Sequence, residues 1–258
     1  MVFVVFTTAI IFSVTPDLAW AHANPTSASD WHWRPEILFP LIFFGAVYVT
    51  GWLRLRSLNR SALHPKQLAL YLLGLSAICS ALISPIDALA SSLLSMHMVQ
   101  HLLLLMIAPL FILLANPMAA FLWGLPKRIR HRIGTLFIKG SLFRHVLWAL
   151  TLMPVTWSIY VVNLWAWHHP VLYQMALRNE WIHDLQHLLF FSTALLFWWP
   201  IVNPAPRLHG SISYGYRIIY LVGATLQNTL LGDGDLYTRA CSVPILCHRS
   251  SVASAGPN

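Results

Sequence analysis

Residues 95–107 read Ser95-Met96-His97-Met98-Val99-Gln100-His101-Leu102-Leu103-Leu104-Leu105-Met106-Ile107. Two imidazoles stand four residues apart at the mouth of a long apolar run. On a helix that spacing puts both on one face, ~6 Å apart along the axis. A second copy follows at Ile182-His183-Asp184-Leu185-Gln186-His187-Leu188-Leu189-Phe190-Phe191. Both read His-x-x-Gln-His-Leu-Leu, and both enter a run of membrane length that ends near an Asn-Pro, Asn116-Pro117 or Asn203-Pro204. The rest of the chain reads as a frame that holds these two faces together.

Composition sets the class. Of the 258 residues, 57% are hydrophobic and 9% charged, against about 45–50% and about 25% in soluble domains. So little charge cannot dress a water-soluble globule of this size. The apolar residues also gather in blocks of membrane length, which defines a polytopic, all-α membrane helix bundle. The net charge of +8 does not point to nucleic acid, because the basic residues sit in short loops between apolar blocks. There they set topology and attract anionic lipid headgroups. The cysteines Cys79, Cys241 and Cys247 make no zinc pattern; Cys241 and Cys247 read either as a disulfide or as two free thiols in a loose tail.

Residues 1–23 read as a signal peptide, with a short apolar core from Met1 to Val14 and Ala21-His22-Ala23 as the cleavage pattern. No Lys or Arg precedes the core, so an uncleaved anchor is the alternative. Residues 24–36 form an outer polar lead-in with Trp31, His32, Trp33 and Arg34. Six spans are expected within a bundle over 37–232, at about 37–53, 67–83, 94–115, 146–162, 183–202 and 217–232. Residues 233–258 read as a loose C-terminal tail. Twelve Lys and Arg residues fall on one side of this arrangement and four (Arg34, Arg178, Arg239, Arg249) on the other. The positive-inside rule then puts the mature N-terminus, and both histidine pairs, outside. The inner loop segment Leu125-Pro126-Lys127-Arg128-Ile129-Arg130-His131-Arg132-Ile133 is expected to lie on membrane lipids as a basic amphipathic helix.

Two i,i+4 pairs on adjacent helices supply up to four ring nitrogens at one depth: His97, His101, His183 and His187. Imidazole suits copper, zinc, iron and nickel, and the thioethers of Met96 and Met98 shift the choice towards copper. His168 and His169 lie in the outer loop before span five. Gln100, Gln186, Asp184 and Asp87 are placed to orient rings by hydrogen bonding. Two other readings stay open: a bis-histidine haem, and histidines that only bridge helices. Covalent haem attachment is excluded because Cys-x-x-Cys-His is missing, and the motifs lack the glutamate of a His-Glu-x-x-His protease.

Ser84-Pro85-Ile86-Asp87-Ala88-Leu89-Ala90 followed by Met96 to Leu103 resembles the multispan CtaG-type cytochrome c oxidase assembly factors. So do Trp167-His168-His169-Pro170-Val171-Leu172-Tyr173 and His183 to His187 with Phe197-Trp198-Trp199-Pro200. The resemblance covers about residues 35–232. It implies a multi-pass protein of the bacterial plasma membrane that acts without catalysis. Such a factor helps assemble a haem–copper oxidase, with an oxidase subunit as partner, by supporting a copper centre. It also implies that His97, His101, His183 and His187 are the family's histidines, with His168 or His169 as the loop histidine. After span six the chain departs from the family pattern, running through Gly232-Asp233-Gly234-Asp235 into a short tail, as a truncated or frame-shifted copy would.

Overall fold

The structure is a computed structural model that describes residues 34–59, 63–90, 93–138, 140–210 and 212–242. The expected signal peptide, the lead-in up to Trp33, Arg60, Lys139, and the tail beyond Ser242 with Cys247 lie outside the described residues. Those described form helices and no strand. In chain order they are α1 (Pro35–Leu58), α2 (Pro65–Leu82), α3 (Pro85–Ala90), α4 (Leu94–Leu102), a π-helical turn (Leu103–Ile107) and α5 (Ala108–Leu114). There follow α6 (Met118–Gly124), α7 (Lys127–Leu136), α8 (Leu142–Leu150), α9 (Met153–His168), α10 (Pro170–Arg178), α11 (Glu180–Val202) and α12 (Tyr214–Ser242).

The ends of these helices are written locally. Pro35, Pro65, Pro154 and Pro170 stand in first turns, where a missing N–H removes no helical bond. His64 and Gln67 close a reciprocal cap on α2: the Lys66 N–H donates to the His64 ring, and the His64 N–H donates to Gln67 Oε1. The Asn179 side chain caps α11 by accepting from the Trp181 and Ile182 N–H groups. Both Asn-Pro dipeptides are stops. Asn116 (φ 50°) and Asn203 (φ 51°) take the left-handed conformation that Asn tolerates. Asn116 Oδ1 then accepts the Ala205 N–H at 2.7 Å, tying the far ends of the two histidine-bearing spans together.

Among the described residues four stretches are long and apolar enough to cross a membrane: Pro35–Leu58, Pro65–Leu82, Ser95–Leu114 and Glu180–Val202. A fifth is gained if α8 and α9 count as one span, but they meet at 67°. Six spans are expected from the sequence; the described residues give four, or five with that bent pair. The expected span 146–162 is interrupted between Leu150 and Met153, where Pro154 has no N–H with which to continue the ladder. The expected span 217–232 is helical within α12, yet Arg217 and the Gln227-Asn228 pair lower its hydropathy below that of the four.

Two apolar clusters build the bundle. In the first, Tyr48 stacks on Tyr71 with centroids 3.8 Å apart, and Phe121 meets both rings edge-on. Here α1 and α6 touch backbone to backbone. A Cβ on Gly51 would lie 1.8 Å from the Ala120 carbonyl oxygen, and one on Gly124 would lie 2.0 Å from that of Val47. Only glycine allows this approach. In the second cluster, Phe197 packs between Tyr160 and Tyr220, and the Tyr220 hydroxyl donates to the Phe197 carbonyl at 2.9 Å.

The α11 helix joins the two halves, packing on α5 and the π turn on one side and on α9 on the other. One bond explains its register. Pro109 has no N–H to offer the Leu105 carbonyl four residues back. The Trp198 indole N–H of α11 donates to that carbonyl instead, at 3.0 Å. The kink in one histidine-bearing span is thus satisfied by the other.

Candidate functional site

His97 and His101 project from α4, and His183 and His187 from the first two turns of α11. The four rings converge. Within each helix the centroids lie 4.2 Å apart (His97–His101) and 4.3 Å apart (His183–His187). Across the helices both the His97–His183 and His101–His187 separations are 5.6 Å, the first pair stacked and the second at 78°. Phe190 closes the box from below, edge-on to His101 at 4.7 Å. His97, His101 and His187 are buried.

Burial leaves an unusual set of ring atoms. His101 Nε2, His183 Nε2 and both nitrogens of His187 are buried without a hydrogen-bond partner. A neutral imidazole carries one donor and one acceptor. Leaving either unpaired away from water costs about 1–3 kcal/mol. As they stand, the rings pack face and edge on each other: among the described residues no three His, Cys, Asp or Glu side chains form a group that could hold a metal ion.

The two loop histidines separate. His168 is half-buried, lies within electrostatic reach of His101, and has Nδ1 2.7 Å from the Leu164 carbonyl. A carbonyl only accepts, so Nδ1 is the donor in this contact. His169 is exposed at the junction of α9 and α10. Met96 and Met98 are half-buried and lie about 100° round α4 on either side of His97, so neither shares the imidazole face.

The expected orienting groups form a frame above the box. Gln100, wholly buried, donates from Nε2 to the Ala81 carbonyl (2.9 Å) and to Asp87 Oδ1 (2.7 Å). Its motif counterpart Gln186 is also buried. Asp87 in turn lies 4.0 Å from Arg34, whose other guanidinium nitrogens reach Asp184 at 2.5 Å and Glu36 at 2.9 Å. A continuous path therefore runs from α4 through Gln100, Asp87, Arg34 and Asp184 to α11. Arg34 is the residue that sequence reasoning missed as part of the site. The available signal was its rarity: it is one of four cations on the side that carries both motif-linked carboxylates.

Electrostatics fit this path. Burial works against the charge on Arg34, but hydrogen bonds to Asp184 and Glu36 outweigh it and push the guanidinium pKa further up. Burial raises the Asp87 carboxyl above the usual carboxylate range, against the pull of Gln100 and Arg34.

Fold and site together define a polytopic helical membrane protein with a buried histidine box at one end of two membrane-length helices. The family model for the cytochrome c oxidase caa3 assembly factor (Caa3_CtaG) matches residues 46–233, and the chain belongs to that family. No curated protein and no solved structure matches it.

Proposed function

We propose that this assembly factor takes up copper in the four-imidazole box at the outer face of the bacterial plasma membrane and passes it to a haem–copper oxidase subunit, without catalysing a reaction. The observation that carries this reading is the set of orphaned nitrogens on His101, His183 and His187. Their lone pairs are what a borderline or soft cation needs. The size also suits a single ion. Four rings bound tetrahedrally at metal–nitrogen distances of about 2 Å have centroids roughly 5 Å apart, and the present spacings are 4.2–5.6 Å. The rings have to turn to aim their nitrogens at one point, which sets this box apart from a rigid structural site. The stacked His97–His183 pair favours an ion over haem, because a macrocycle has to pass between its axial ligands.

The test is Cu(I) titration of purified protein against a chromophoric chelator. The wild type is expected to bind stoichiometrically, and His101→Ala/His187→Ala to lose that binding while Met96→Leu keeps it. Equal copper retention by the double variant and the wild type would overturn the site.

A further inference from the structure

The other end of the bundle carries a charge pattern that the oxidase role does not absorb. α7, Lys127–Leu136, holds Lys127, Arg128, Arg130 and Arg132 within ten residues. From Ala88 to Asn179 the sequence has no Asp or Glu. Among the described residues every ion pair is made by Arg34, at the histidine end. The cations of α7 therefore have no carboxylate from their own region of the chain.

Their surroundings are shaped as well as charged. Trp123, Lys127, Arg130, His131 and Thr135 line an open pocket of about 390 Å³. The Arg130 guanidinium lies 4.3 Å over the Trp123 ring, which fixes its position before any ligand arrives. Ile138, also in the lining, is 58% exposed, and on the far face of α7 Ile129 and Leu136 are about half exposed. The next helix, α8, likewise exposes Leu142, Phe143 and Trp148 just before the 67° bend into α9. A basic pocket next to an uncovered apolar surface matches one molecule that carries both an anionic head and acyl chains. The stretch Ser95–Leu114, ~30 Å long at 1.5 Å per residue, separates α7 from the histidine box and sets it at the opposite membrane surface.

We propose that the pocket between Trp123 and α7 binds the headgroup phosphate of an anionic glycerophospholipid, with Lys127 and Arg130 as charge partners and the acyl chains over Ile138; the Thr135 hydroxyl already donates to the Arg132 carbonyl at 2.7 Å and only borders the site. This site is independent of copper. Arg supplies a planar fork for phosphate oxygens and Lys a point charge. A charge-assisted hydrogen bond from a lining cation to a phosphate oxygen is worth about tenfold in affinity or more, whereas in non-ionic detergent a cation outside the lining has no anionic surface to act on.

The test uses full-length protein purified in non-ionic detergent, supplied with phosphatidylglycerol or with inorganic phosphate, and washed. Lipid retained per chain is read by mass spectrometry, and the melting temperature by scanning fluorimetry. The wild type is expected to retain phosphatidylglycerol and to be stabilised by it, and not by phosphate. Lys127→Gln/Arg130→Gln should reduce retention by roughly tenfold or more. Arg128→Gln/Arg132→Gln removes the same charge from the same helix outside the pocket lining, and should change retention less than about twofold. Equal losses in both double variants would show a diffuse surface attraction and overturn the pocket. So would absence of retained lipid in the wild type, or equal stabilisation by free phosphate. Circular dichroism and copper titration of each variant separate a folding defect, or a failure of the copper reading, from loss of the lipid.

Discussion

Replacing Arg34 by Met keeps the length of the side chain and removes its charge. Asp184 then loses its 2.5 Å partner and Asp87 its nearest cation, while both stay about three-quarters covered (31% and 25% exposed). Breaking a fully buried pair costs about 3–5 kcal/mol, and an exposed pair about 0–1 kcal/mol. At these exposures the expected loss lies between, at about 2 kcal/mol, the scale of a hydrogen bond to a charged group. For a chain of this size that is roughly 4–8 °C in melting temperature.

The assay is thermal unfolding in detergent of the wild type, Arg34→Met, Asp184→Asn and the double variant. The cycle is expected to give a coupling of about 1–2 kcal/mol, with the double variant less destabilised than the sum of the singles. Because Arg34 links the helix that carries His97 and His101 to the helix that carries His183 and His187, Arg34→Met should also weaken Cu(I) binding, and Arg34→Lys should restore part of it. Additive single effects, or a coupling below about 0.5 kcal/mol, would refute the clamp and leave Arg34 as a surface charge.

Three further outcomes follow from the packing. His101→Phe removes an orphaned nitrogen and keeps the ring beside Phe190, so melting should hold or rise while copper is lost; a marked drop would mean that the histidine only bridges helices. Gly51→Val drives a side chain into the Ala120 carbonyl and should cost more than about 3 kcal/mol, seen as loss of monodisperse protein in size exclusion; normal yield would contradict the close contact of α1 with α6. The Asp87 carboxyl is raised above its unfolded value, so its ionisation opposes folding. Stability should therefore rise as pH falls from neutral through the folded pKa, and level off below the unfolded one, about 3.9. Asp87→Asn should flatten that slope in a melting series, and an unchanged slope would assign it elsewhere.

Much of the architecture was legible because membrane burial leaves a coarse signature. Apolar runs of span length exposed four helices, and the two Asn-Pro stops marked the ends of two of them. The fourth expected span misled for a local reason. Hydropathy averages over 146–162 and does not register that Pro154 opens a new first turn. The histidine box was legible because the same heptad-length pattern occurs twice at one depth. An i,i+4 pair fixes a face, and two spans tied at their far ends by Asn116 and Ala205 cannot slide out of register.

Arg34 escaped that reading because its partners are set by the fold and not by spacing. Asp184 lies 150 residues away in sequence, and nothing near Arg34 predicts it. Yet the need for such a residue follows from the motifs themselves. Each histidine pair brings a carboxylate to the same membrane end, Asp87 through Gln100 and Asp184 beside His183. Two largely covered carboxylates facing one another repel, and they would push apart the helices that carry the imidazoles. A cation between them turns that repulsion into a tie. Within the box, the four unpartnered ring nitrogens of His101, His183 and His187, at about 1–3 kcal/mol each, work against the packing of the rings. The helices are therefore held from above by Arg34 and from below by Trp198 and Asn116. Those ties hold the two helices without any bond from the unpartnered ring nitrogens of His101, His183 and His187.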